Sequence, residues 1–209
     1  MAIERIGVFG GTFDPVHYGH LLMAEQCREQ LELTRVLFVP AQQSPLKSHG
    51  PQATPRQRVE MLRMAIAGHA DFQVSEIELE RPPPSFTVDT LQHLAEANPT
   101  AELFFILGSD SLAEFDRWRS PRRIIELAVP VVVARPGSAA DLAHLQPLAA
   151  PERWAKIQAA VVRTPLVELS STDLRARIAT GRSVRYMTPR AVEVYLQTHQ
   201  VYSAHSPTS

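Results

Sequence analysis

Short β-branched and aromatic runs alternate with longer helix-patterned stretches, and this alternation constrains the fold more than any other feature of the sequence. It predicts an α/β protein built on a parallel sheet. The predicted strands are Ile3–Phe9, Arg35–Val39, Phe72–Ile77, Leu103–Leu107, Val129–Ala134 and Val161–Val167. Pro165 marks the last of these as an edge strand.

Helices fill the gaps. Leu21, Leu22, Ala24 and Leu31 repeat at helical spacing between His17 and about Leu33. Thr54-Pro55-Arg56-Gln57 has the form of an N-cap, a first-turn proline and a capping-box glutamine, and Gly68 is placed to end that helix. Thr87 can cap a helix through Leu94, and Ser120-Pro121 opens one through Leu127. Ser171 precedes a helix over Thr172–Thr180 that Gly181 closes, and Thr188-Pro189 opens the last, through His199. Pro136–Pro151 carries the weakest pattern, and Ala204–Ser209 reads as a frayed tail.

Composition narrows the classes of function. The 209 residues are 44% hydrophobic and 21% charged with a formal net charge of −1, which fits one globular domain with a sizeable core. Only Lys47 and Lys156 are lysines and the arginines are dispersed, so the chain lacks the basic footprint of a nucleic-acid binder. Cys27 stands alone, which excludes an intrachain disulfide and cysteine-based metal centres. The longest apolar run, Leu127–Ala134, is eight residues and contains Pro130, against roughly 20 for a bilayer span. With no secretory pattern at Met1–Arg5, a cytoplasmic protein is expected.

Three polar segments follow predicted strands. The first is Gly10-Gly11-Thr12-Phe13-Asp14-Pro15-Val16-His17-Tyr18-Gly19-His20. Paired glycines at a strand end suit a sharp turn whose N–H groups approach a ligand. His17 and His20 fall on one face of a helix start, where an anion is favoured, and Gly19 leaves room for a ligand against the helix. The same residues also read as an ordinary tight turn, or as a metal triad of Asp14, His17 and His20. The second segment is Gly108-Ser109-Asp110-Ser111, at the carboxyl edge of the sheet or simply a helix cap. The third is Ser170-Ser171-Thr172-Asp173-Leu174-Arg175. It opens a helix with hydroxyls and places an arginine one turn on, which suits phosphate as well as it suits a plain N-cap.

Together these segments resemble the nucleotidylyltransferase superfamily, whose signature is Gly-Gly-Thr-Phe-Asp-Pro followed by His-x-Gly-His. Pro84-Ser85-Phe86-Thr87-Val88-Asp89-Thr90-Leu91, Gly108–Leu112 with Trp118, Ala134-Arg135-Pro136-Gly137 and the terminal Pro189–Tyr202 helix make the chain more similar to the bacterial nicotinate-nucleotide adenylyltransferase family. One departure is Pro45-Leu46-Lys47, where that family commonly has Pro-His-Lys.

The resemblance implies a Rossmann-like doubly wound parallel sheet with helices on both faces and a small C-terminal helical extension. It implies transfer of AMP from ATP to nicotinate mononucleotide with Mg²⁺ held by the ATP phosphates. By similarity His17, His20, Lys47 and Arg175 are catalytic. Gly10, Gly11, Thr12, Phe13, Gly108, Ser171 and Thr172 join the two histidines and Arg175 around ATP. Lys47, Phe86, Thr87, Asp110, Trp118 and Arg135 form the mononucleotide side. The partners are the two nucleotides, with neither nucleic acid nor membrane, and there is room for a homo-oligomer. A sister transferase acting on phosphopantetheine and a non-catalytic nucleotide sensor are the rival readings.

Overall fold

A computed structural model describes residues 3–43, 50–134 and 141–203, with Ser109 and Asp110 described by backbone alone. The strands are β1 (Arg5–Gly11), β2 (Arg35–Pro40), β3 (Phe72–Val74), β4 (Glu102–Gly108), β5 (Ala128–Ala134) and β6 (Val161–Arg163). They form one sheet in the order β3-β2-β1-β4-β5-β6, and every neighbouring pair is parallel. The order runs outward in one direction from β1 and in the other from β4. Right-handed crossovers therefore send the connections of the two halves to opposite faces, the Rossmann-like arrangement.

The helices are α1 (Tyr18–Gln30), α2 (Pro55–Ala65), α3 (Thr87–Ala97), α4 (Ser109–Ala113), α5 (Pro121–Leu127), α6 (Pro151–Ala159), α7 (Ser171–Ala179) and α8 (Arg190–Thr198). Among the described residues none is long and apolar enough to cross a membrane. The central strands are buried on both faces, as parallel strands covered by helices must be. All seven residues of β5 are buried. Pro130 is tolerated inside this strand because β6 pairs only with Val132–Ala134, so the missing N–H falls where that neighbour has ended.

Several boundaries differ from the sequence expectation, each for a local reason. β3 stops at Val74 and β6 at Arg163, so Pro165 lies beyond the strand it was expected to weaken, and β6 is an edge strand. Gly10 and Gly11 are not a turn but the last residues of β1, in register with Val39 and Pro40. Gly11 is needed because a Cβ there would come within 2.9 Å of the Phe13 ring, whereas one at Gly10 would make ordinary contact at 3.7 Å. Thr87 is the first residue of α3, with Phe86 as N-cap. In α7 the cap is Ser170, whose hydroxyl accepts from the Asp173 N–H, and this frees Ser171 Oγ to donate to the Pro15 carbonyl at 2.9 Å. Helix α6 lies at the margin of the segment that showed no clear pattern.

Thr54 behaves as expected: its side chain accepts from Gln57 N–H, and Gln57 Oε1 accepts from Thr54 N–H at 2.9 Å. Thr54→Ala should lower the unfolding free energy by about 1 kcal/mol, the usual worth of such a cap, measured by urea denaturation with the m-value unchanged.

Candidate functional site

Two adjoining cavities open at the carboxyl ends of the strands, where β1 and β4 lie side by side and the strand order reverses. The first, about 710 Å³, is lined by Asp14, His17, His20, Ser171, Thr172 and Arg175 among others. The second, about 610 Å³, is lined by Gly10, Gly11, Glu78, Phe86, Thr87 and Trp118 among others. Thr12, Ala41 and Ser111 line both, so the cavities meet there.

Two helix N-termini converge on the first cavity, those of α1 and α7, and the first-turn N–H groups of a helix have no partner within it. His17 is the N-cap of α1. Its ring stacks on that of His20, with centroids 3.7 Å apart, and its backbone N–H donates to His20 Nδ1 at 3.3 Å. Because His20 Nδ1 accepts, a neutral His20 ring carries its proton on Nε2. His17 is only 5% exposed, and burial pulls its pKa down to about 4. It is therefore a neutral imidazole at pH 7, not a cation. The space at Gly19 is taken first by His17 itself, since a Cβ at Gly19 would lie 3.0 Å from His17 Nδ1. That nitrogen is buried and has no hydrogen-bond partner among the described residues.

Among the described residues, the permanent positive charge in this cavity belongs to Arg175. Its Nη1 donates to the Asp14 carbonyl at 2.7 Å and Nη2 to Thr172 Oγ1 at 3.3 Å, while Nε is buried and has no hydrogen-bond partner among the described residues. Asp14 is not set up as a metal ligand. Its Oδ2 accepts from Gln52 N–H at 2.9 Å, and its Oδ1 from Ala53 N–H at 3.0 Å and Tyr202 Oη at 2.6 Å. Among the described residues no group of three or more His, Cys, Asp or Glu side chains meets the geometry of a metal site.

The second cavity is aromatic. Trp118 packs edge-on to Phe105 at 5.8 Å and tilted against Phe115 at 5.6 Å, so it is a packing residue that also faces the cavity. Its Nε1 is buried and has no hydrogen-bond partner among the described residues. Arg119 lies 4.7 Å over the Phe86 ring. Glu78 is buried, which raises its pKa, with the hydroxyls of Thr90 and Ser85 pulling the other way. The N–H groups of Ser85, Arg117 and Trp118 are committed to the Gln43, Glu114 and Phe115 carbonyls. Among the described residues, donors on this side include Trp118 Nε1, the Arg119 guanidinium and the N-terminus of α3.

Of the residues singled out from sequence, Gly108 lines neither cavity and serves as the N-cap of α4. Lys47 and Arg135 lie outside the described residues, as does the side chain of Asp110. Ser111 belongs to the polar segment after β4 that the sequence marks, and it lies where the two cavities meet. Ala41 and Glu78 carry no pattern that singles them out.

A doubly wound parallel sheet with paired cavities at its switch point defines an α/β nucleotide-binding protein. The family model described as cytidylyltransferase-like matches residues 8–177. A relative from Roseiflexus castenholzii, described as "Probable nicotinate-nucleotide adenylyltransferase", is 48% identical over 97% of this chain and 100% of its own. A Thermus thermophilus relative of the same description is 46% identical over 95% of this chain and 99% of its own. The chain belongs to the cytidylyltransferase-like family and, within it, to the nicotinate-nucleotide adenylyltransferases, a family of nucleotidyltransferase enzymes. The fold agrees. The Plasmodium falciparum nicotinic acid mononucleotide adenylyltransferase solved with NaAD superposes with a TM-score of 0.71 at 16% identity, covering 95% of this chain and 97% of that one.

The burial of neutral His17 sets a pH dependence. Its folded pKa lies below the unfolded value of 6.5, so the unfolded chain binds the proton more tightly. The contribution is fully present above pH 6.5 and is lost as pH falls toward 4, by at most roughly 3 kcal/mol. Thermal melts should show this slope in the native protein and a shallower one in His17→Asn, and equal slopes would contradict a buried neutral imidazole.

Proposed function

We propose that this protein transfers the adenylyl group of ATP to nicotinate mononucleotide, giving nicotinate adenine dinucleotide and pyrophosphate. The observation that carries the reading is the junction at Thr12, Ala41 and Ser111. There a cavity rich in anion-binding groups meets one lined by aromatic rings, as an attack by one nucleotide's phosphate on another requires.

ATP occupies the first cavity and the mononucleotide the second. A phosphate oxygen of the mononucleotide attacks the α-phosphorus of ATP while the bond from that phosphorus to the bridging oxygen breaks, and pyrophosphate leaves with the electron pair. The nucleophile is already anionic at neutral pH, so no general base is needed. The work of the chain is alignment and charge neutralisation. His20 donates from Nε2 to the α-phosphate, and Arg175 with the N-terminus of α7 holds the leaving pyrophosphate. His17 orients His20 through their stacked rings. Asp14 is occupied by protein donors, so Mg²⁺ would be held by the phosphates of ATP, whose charge it would offset.

Gly10, Gly11, Thr12 and Phe13 bring backbone close to the nucleotides, while Phe86, Thr87 and Trp118 receive the pyridine ring. The resemblance adds Gly108 on the ATP side, Lys47, Asp110 and Arg135 on the mononucleotide side, and a catalytic part for Lys47. The whole chain acts as one nucleotidyltransferase domain. Its setting is the cytoplasm, and its partners are the two nucleotides.

Two measurements test this. Pyrophosphate release with ATP should be supported by nicotinate mononucleotide at a kcat/KM at least about 10²-fold above that for the amide. Helix N–H groups and Arg119 favour a carboxylate, and buried groups left mismatched discriminate strongly. A ratio near one would overturn the preference for the acid, preference for phosphopantetheine would favour the sister transferase, and binding without release would favour the sensor. Second, folded His20→Ala should lose roughly 10²-fold or more in kcat, the scale of one transition-state donor. Unchanged turnover would remove His20 from the chemistry.

A further inference from the structure

Arg58 is fully buried in α2, yet it pairs with no carboxylate at contact distance among the described residues. Its Nη1 donates to two backbone carbonyls, Thr12 at 2.9 Å and Ala41 at 2.7 Å, and Nε and Nη2 have no hydrogen-bond partner among the described residues. These carbonyls belong to the first residues beyond β1 and β2, and both residues line the junction of the two cavities. A buried guanidinium held by so few acceptors is costly to keep, so its position demands an account beyond stability.

We propose that Arg58 is a positioning residue for adenylyl transfer: it draws the Thr12 and Ala41 carbonyls inward and so fixes the two peptides between which the substrates meet. The inference rests on the adenylyl-transfer reading above. In a trans peptide the N–H points opposite to the carbonyl. Drawing the Thr12 carbonyl inward turns the Phe13 N–H outward, toward the site of the transferred phosphate. Phe13 has φ +49°, an uncommon conformation for a bulky residue, and the Arg58 bond one peptide earlier braces it. On the other side, drawing in the Ala41 carbonyl turns out the Gln42 N–H, which donates to Ser85 Oγ at 3.3 Å. Ser85 lines the aromatic cavity and lies next to Phe86 and Thr87. One guanidinium thus sets the ATP-side loop and the mononucleotide-side loop at a fixed spacing. Burial pulls the Arg58 pKa down, the carboxylates of Asp14 and Glu78 oppose that pull, and the guanidinium stays charged because arginine does not deprotonate in proteins.

A group that fixes the distance between reactants acts on kcat more than on KM, and a misplacement of about 1 Å can cost roughly 10²-fold. The test compares Arg58→Met and Arg58→Lys with Ile157→Ala, a core variant at a fully buried position away from both cavities. Pyrophosphate release by the native protein with ATP and nicotinate mononucleotide is established first, and its absence would refute the reaction itself, not the role of Arg58. Folded Arg58→Met should then lose about 10²-fold in kcat with both KM values within about threefold. Arg58→Lys keeps the charge, but its differently built stem does not put a nitrogen where Nη1 stands between the two carbonyls, so its kcat should fall between those of the native protein and Arg58→Met. Ile157→Ala should lose thermal stability while keeping its kcat. Where Arg58→Met does not fold, Arg58→Lys decides, with a loss of at least about fivefold expected. A kcat within about twofold of native in the deciding variant, or an equal loss in Ile157→Ala, would overturn the proposal.

Discussion

Four distant stretches of the chain meet on one buried carboxylate. Asp14 takes N–H groups from Gln52 and Ala53 at the entrance to α2 and the hydroxyl of Tyr202 near the C-terminus, and its own carbonyl receives Arg175 of α7. A carboxylate that is 3% exposed persists only because each oxygen is hydrogen-bonded; stripped of those donors it would cost several kcal/mol. The first cavity has the shape it has because these four segments satisfy one another there. Without Asp14, the loop after β1, the start of α2, the α7 helix and the C-terminal turn would have no common reference point.

The anion site inherits its electrostatics from that junction. Arg175 reaches the cavity while anchored to the Asp14 carbonyl and the Thr172 hydroxyl, so its cation is held in place before any ligand arrives. Ser171 ties the start of α7 to Pro15, and Thr188 Oγ1 ties the approach to α8 to the Val16 carbonyl at 2.8 Å. The two helix N-termini are thereby aimed at one volume. Donors fixed in advance need no reorganisation when charge shifts toward a leaving group.

These contacts explain what was legible in the sequence. The existence of six strands, the capping of α2 and the glycine–histidine segment are local or follow from periodicity and are legible in the sequence, whereas the order of the strands in the sheet is not. The pairing of Asp14 with Tyr202 joins residues 188 apart in the chain, which no local pattern reveals. Ser171 was taken for a cap when Ser170 fills that place, since adjacent serines are equivalent to a spacing rule and only a tertiary partner, the Pro15 carbonyl, separates them. Gly10-Gly11 read as a turn because glycine pairs usually are one; here Gly11 stays in the strand to admit the Phe13 ring. Arg58 did leave a trace: it shares a helix face with Met61 and Leu62, both fully buried, and a charge on the apolar face of a helix signals a buried role.

The proposed placement of the two substrates rests on a contrast between the cavities. One gathers two helix N-termini, two imidazoles and a guanidinium, and it favours the partner carrying the greater negative charge. The other offers Phe86, Phe105 and Trp118, flat surfaces that favour a ring at the end of a molecule with a single phosphate. Swapping the two nucleotides would set a triphosphate against aromatic carbon beside buried Glu78 and leave Arg175 facing a ring. Both halves of that exchange are unfavourable. In the proposed reaction the contrast between the cavities sets which nucleotide goes where, and the shared wall at Thr12, Ala41 and Ser111 has only to fix how closely their contents approach.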